Sequence, residues 1–204
     1  METTQPEVQP QVETLPPETN DWKRFILDII ETIVLAVVLY FGINAISARV
    51  RVDGFSMNPT LQNGEYILVS RLSYKFDLPQ RGDIIVFSFP VDQSQDLIKR
   101  VIGLPGETVS IQQNQVLINN VQLEEPYIAQ EPLYSGEWTV PDGYLFVLGD
   151  NRNDSKDSHQ WGLLPIENII GKALIIYWPP PEWELISHTD EVFGQQVPAS
   201  NNVR

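Results

Sequence analysis

Ser56 stands between two large apolar residues in Phe55-Ser56-Met57-Asn58-Pro59-Thr60-Leu61, directly after Gly54. Glycine permits backbone conformations closed to other residues, and Pro59 fixes its own φ and biases Asn58 toward extended geometry. The stretch predicts a stiff turn that presents a hydroxyl. Most turn serines do no more than hydrogen-bond locally. A nucleophilic serine needs a base to take its proton, and the chain offers two kinds. His159 lies near Asp157, so a Ser-His-Asp set with Ser56 or Ser158 is open, although Ser158 is adjacent to His159 and neighbouring side chains seldom reach each other well. Lys99 is the other candidate, in the apolar run Leu97-Ile98-Lys99-Arg100-Val101-Ile102. On an alternating strand Lys99 and Val101 share one face, and Ile98, Arg100 and Ile102 the other. A buried lysine loses charge stabilisation, its pKa falls by units, and its neutral amine takes a proton. A lysine that snorkels from a half-exposed strand is the plainer alternative.

The segment Gly149 to Gly162 is dense in Asp, Asn, Ser and Arg. A solvated loop explains such composition, as does a supporting shell around a catalytic group. Its spacing does not fit a calcium loop. The chain has no cysteine and only two histidines, His159 and His188, which excludes thiolate sites and disfavours a histidine metal site. No metal and no cofactor are expected.

These residues need elements to position them. The formal net charge is −14, which leaves no basic surface for nucleic acid. Residues 1–21 carry scattered Glu and Pro without apolar periodicity and read as a disordered arm. Residues 22–48 form the one membrane-length apolar run. Trp22 and Lys23 suit an interface, and the acids Asp28 and Glu31 fall early. A cleaved secretory signal fits the apolar run too, but the long acidic arm before it is unlike the start of a signal, and a permanent anchor is expected. Lys23 and Arg24 on one side balance Arg49 and Arg51 on the other, so charge leaves the orientation open. Residues 49–187 then read as short β-runs at 50–52, 66–69, 83–89, 97–102, 108–111, 115–118, 144–148 and 172–178, with Asn119-Asn120 as a tight turn. The expected fold is mostly β, a folded-over or closed sheet behind one helix. Residues 188–204 read as a flexible tail.

In this order the stretches resemble the bacterial type I signal peptidase (leader peptidase) family: Ser56-Met57-Asn58-Pro59-Thr60-Leu61, Arg81-Gly82-Asp83-Ile84-Ile85-Val86-Phe87, Lys99-Arg100-Val101-Ile102-Gly103-Leu104-Pro105-Gly106, then Gly149 to Gly162, with Glu125-Pro126-Tyr127-Ile128 and Val140-Pro141-Asp142-Gly143 as smaller pieces. The resemblance runs from the anchor to about Trp178. It implies a serine endopeptidase with a Ser-Lys dyad and no metal: Ser56 as nucleophile, Lys99 as base, Ser155 orienting Lys99, Asp157 bracing the Ser155 loop, and Arg100, Asp150 and Arg152 in support. Gly54 replaces a serine that donates to the oxyanion in one branch, which leaves backbone N–H groups, chiefly that of Ser56, to do so. His159 stands where many members carry arginine. With Trp161-Gly162 it is similar to the cyanobacterial and thylakoid-type branch.

The same resemblance implies preprotein substrates, cut after small residues one and three positions before the scissile bond and bound as an added strand. Val52, Met57, Leu61 and Ile98 match its small-residue pockets. It also implies an N-terminus in the cytoplasm and a catalytic part on the periplasmic or lumenal side of the inner, possibly the thylakoid, membrane. Partners are then signal-peptide-bearing preproteins and the lipid bilayer. Two rivals remain at this point: a self-cleaving repressor, which would need a DNA-binding domain, and a membrane-held β module that binds peptides without cutting them.

Overall fold

The computed structural model describes residues 21–186, so the expected tail and, apart from Asp21, the expected arm lie outside the described residues. The chain divides into two units, 1–42 and 43–204. The first is represented by helix α1, Asp21–Ile46, whose last turn enters the second unit. From Trp22 to Ile46 the mean hydropathy reaches 2.3. These 25 residues span about 37 Å at 1.5 Å each, enough for the hydrocarbon core of a bilayer. Large apolar side chains lie exposed around the helix, among them Phe25, Leu35, Val38 and Phe41. A helix apolar on all sides is at rest in lipid, not in water.

The second unit is built of antiparallel strands: β1 (Ser47–Arg51), β2 (Tyr66–Ser70), β3 (Ile84–Ser88), β4 (Asp96–Gly103), β5 (Thr108–Gln112), β6 (Gln115–Ile118), β7 (Val121–Gln122), β8 (Gly136–Thr139), β9 (Tyr144–Leu148), β10 (Leu164–Pro165), β11 (Ile169–Trp178) and β12 (Glu184–Leu185). Two single-turn helices, α2 (Ser73–Phe76) and α3 (Ser158–Trp161), interrupt them. The helix expected to reach residue 48 stops at Ile46, because Ser47 and Ala48 already pair with Ser70 and Val69.

The large sheet has the order β1-β2-β11-β3-β4-β9-β10, with β12 beside β11; the small one has the order β7-β6-β5-β8. The sheet is not closed, which corrects one part of the expectation. β5 to β8 leave the path of the large sheet and pair among themselves, so its end strands β1 and β10 each keep one partner. The small sheet turns on Gln113-Asn114 and on Asn119-Asn120, all four with φ between 49° and 69°. Asparagine tolerates that left-handed region better than most residues.

β3 is buried on both faces, which explains its unbroken apolar run. Ile84 and Val86 join one core with Val52, Met57, Leu61, Ile67 and Val69. Ile85 and Phe87 join another with Val101, Leu145 and Val147. A third core fixes the small sheet to the large one, where Val109, Ile111 and Val116 meet Ile102, Phe146 and Leu148. Gly103 allows that approach, since a Cβ there would collide with Val109. Two ion pairs tie the connections: Arg81 with Glu107, and Lys172 with the buried Asp83, which also accepts from Tyr74 Oη.

Candidate active site

The β1–β2 ladder continues outward through Val52, whose N–H donates to Glu65 O and whose carbonyl accepts from Gly64 N–H. Residues 53–63 are thereby held as a loop on a hairpin stem. Inside it, Asn58 N–H donates to Phe55 O and Leu61 N–H to Met57 O, so the loop is one wound turn with Ser56 at its start. Met57 and Leu61 are sunk in the core at 1% and 0% exposure. They anchor the turn while Ser56 stays half-buried.

Lys99 arrives from β4 on the other side. Its Nζ lies 2.8 Å from Ser56 Oγ and donates to Ile98 O at 2.8 Å. The side chain does not snorkel, for Lys99 is 3% exposed. Burial pulls its pKa from 10.5 down to about 8, against the opposing pull of the Asp157 and Asp150 carboxylates. A neutral amine has two N–H groups and one lone pair. With one N–H on Ile98 O, the lone pair can take the Ser56 proton. Among the described residues no Ser-His-Asp set forms: the His159 ring is bonded to Asp157 at 2.6 Å and stacked on Tyr134 at 3.8 Å, and Ser158 Oγ, fully buried, accepts from Val147 N–H.

Behind the pair lies the 149–159 segment. Arg100 and Asp150, both buried, form a two-pronged ion pair at 2.8 and 2.7 Å, and Arg100 also donates to Gly82 O. Arg152 pairs instead with Glu125, through two bonds of 2.8 Å, and donates to Gly149 O. The Tyr127 ring lies 4.0 Å from the Arg100 guanidinium and 5.8 Å from that of Arg152, and its hydroxyl donates to Glu125. This charge-and-ring stack joins the two ion pairs. Asp157 is fully buried; it accepts from Gly149 N–H at 2.9 Å, caps α3 through His159 N–H, and meets the His159 ring.

Ser155 departs from its expected part. Its Oγ is buried without a hydrogen-bond partner among the described residues, and Ile98 O, not Ser155, accepts from Lys99. Ser155 packs against Gly149, where any Cβ would collide with Ser155 Oγ and with Ser56 O. Val52, Met57 and Leu61 fall in one apolar cluster, with Ile98 packed on it and partly exposed. Sequence reasoning gave no part to Thr60, which donates to Asp150, to Asn151, whose side chain donates to Phe55 O, or to Tyr134, which stacks on His159. Glu125-Pro126-Tyr127 was legible only as a motif, since its partners are more than twenty residues away. Among the described residues no three His, Asp or Glu side chains gather as a metal site.

The description "Signal peptidase, peptidase S26" matches residues 26–178. The chain belongs to this signal peptidase family. It is a peptidase, and the one N-terminal apolar helix among the described residues, α1, is long and apolar enough to cross a membrane. Over 193 residues it is 41% identical to the probable signal peptidase I-2 of Synechocystis sp., covering 91% of this chain and 85% of that one. It is 46% identical over 164 residues to the signal peptidase I of Leptolyngbya laminosa, covering 76% and 80%. The thylakoidal processing peptidase 1 of Arabidopsis thaliana is 36% identical over 148 residues, covering 67% of this chain and 44% of that protein. The family and both cyanobacterial relatives accord with the branch read from His159 with Trp161-Gly162.

Proposed function

We propose that this signal peptidase cuts preproteins by a Ser56-Lys99 dyad. The observation that carries the reading is the 2.8 Å contact between Ser56 Oγ and a lysine buried enough to be half neutral near pH 8. Lys99 takes the Ser56 proton as Oγ attacks the scissile carbonyl, then gives it to the departing amine. Water, deprotonated by the same amine, opens the acyl-enzyme. Ser56 N–H, which donates to no acceptor among the described residues, meets the oxyanion. Arg100, Asp150, Arg152 and Asp157 hold the 149–159 segment behind the dyad, and Ser155 fills the space between them.

Among the described residues, two open strand edges support binding of substrate as an extended segment. β1 ends its sheet, and β4 meets β9 only from Arg100 onward, so Asp96 to Lys99 have one strand neighbour. A strand laid there reaches both Ser56 and Lys99. Val52, Met57 and Leu61, with Ile98 packed on them, supply an apolar floor there, and on this reading a shallow floor of this kind takes alanine-sized side chains and turns away larger ones. On this reading the N-terminus lies in the cytoplasm and residues 49–204 on the periplasmic or lumenal side of the inner or thylakoid membrane. Cleavage of a reporter preprotein by the detergent-solubilised enzyme, with Ser56→Ala beside it, tests the reading. Equal turnover by the two would overturn it.

A further inference from the structure

We propose that Asn151 is a positioning residue for the oxyanion site, and that it acts through the Phe55–Ser56 peptide unit. The inference rests on the reading of Ser56 as nucleophile. Asn151 Nδ2 donates to Phe55 O at 3.1 Å, and Asn58 N–H donates to the same oxygen at 3.1 Å. The other end of that peptide unit is Ser56 N–H. A peptide bond is planar and trans, with its C=O and N–H pointing in opposite directions. Holding the Phe55 oxygen from two sides therefore fixes the direction in which Ser56 N–H points. Hydrogen bonds to a carbonyl also polarise the amide and strengthen its N–H as a donor. The next peptide is held as well, for Asn151 N–H donates to Ser56 O at 3.0 Å.

The sequence makes this grip matter. Gly54 has no side chain to offer the oxyanion, and its own N–H is committed to Asn63 Oδ1 at 2.9 Å. Ser56 N–H then carries a larger share of the charge, and its direction becomes decisive. Asn151 is itself held in place by its neighbours. Gly149 is bonded on both ends, by Asp157 and Arg152, and Asp150 is locked to Arg100. The buried ion pairs thus act on the reaction through Asn151, which carries their rigidity to the nucleophile's backbone.

The test compares Asn151→Ala and the near-isosteric Asn151→Asp with wild type. Both keep the backbone N–H, and both lose the amide donor. Removing a direct oxyanion donor costs about 10²–10³ in kcat; losing the group that aims the donor should cost about tenfold to a hundredfold, with KM little changed. A peptide aldehyde gives the second readout. Ser56 Oγ adds to its carbonyl carbon, and its oxygen takes the oxyanion's place. Its affinity should fall by the same factor as kcat/KM, while binding of uncut peptide, measured in a Ser56→Ala background, stays the same. Unchanged aldehyde affinity overturns the inference, as does a rise in KM with kcat kept, or failure of both variants to fold. Turnover surviving in Ser56→Ala alone would instead sink the nucleophile assignment.

Discussion

The pH dependence of cleavage reads the base directly. With the Lys99 pKa near 8, the neutral fraction is about 9% at pH 7, one half at pH 8 and about 91% at pH 9. Provided proton transfer to Lys99 limits the first step, kcat/KM should rise about fivefold from pH 7 to 8 and less than twofold from 8 to 9. A lysine left at its solution value would give about tenfold at each step. A histidine base near pH 6.5 would give less than 1.3-fold between 7 and 8. The three curves separate in a single series on a short soluble peptide with small residues one and three positions before the scissile bond. Two variants refine it. His159→Ala leaves the Asp157 carboxylate in place, so the limb should stay near 8. His159→Arg sets a fixed cation 2.6 Å-scale close to Asp157, where His159 Nδ1 now sits, and so offsets a carboxylate that holds the Lys99 pKa up. That limb should move to lower pH. A flat profile from pH 7 to 8, or an acidic limb that vanishes with His159→Ala, would refute the Ser-Lys mechanism.

Ser56→Ala and Lys99→Ala should each abolish processing, and the double variant should be no worse than either, because the two act as one unit; turnover kinetics of all three decide it. Lys99→Met should stabilise the fold. The native pKa lies below that of the unfolded chain, so below pH 8 the native state carries the whole cost of the buried charge, and the cost fades as pH rises through 8 toward 10.5. The gain at pH 7 should be about 3 kcal/mol, shrinking in alkaline melts. Asp150→Ala leaves Arg100 buried and unpaired, and should cost about 3–5 kcal/mol by urea unfolding. Removing α1 should spare cleavage of soluble peptides while slowing that of membrane-held substrates. The cut belongs before Ser47, since a start at Arg49 deletes two of the five paired positions of β1 and should lower the melting temperature.

The apolar run of α1, eight of the twelve described strands and the Asn119-Asn120 turn were legible in the sequence because each rests on local properties: length and hydropathy, apolar β-runs between turn residues, and the tolerance of asparagine for positive φ, whereas the short strands β7, β8, β10 and β12 carry no such signal. The proposed dyad was legible only by resemblance. Nothing local tells a catalytic serine from a turn serine, or a buried lysine from a snorkelling one. Tertiary structure supplied the rest, by closing β4 against the 53–63 loop so that Lys99 is buried with its amine 2.8 Å from Ser56 Oγ. It also decided what no local pattern carries: the open sheet, the pairing of Arg152 with Glu125, and the exchange of Ser155 for Ile98 O beside the amine. These depend on which distant strands meet, and a residue's own neighbours in sequence do not determine that.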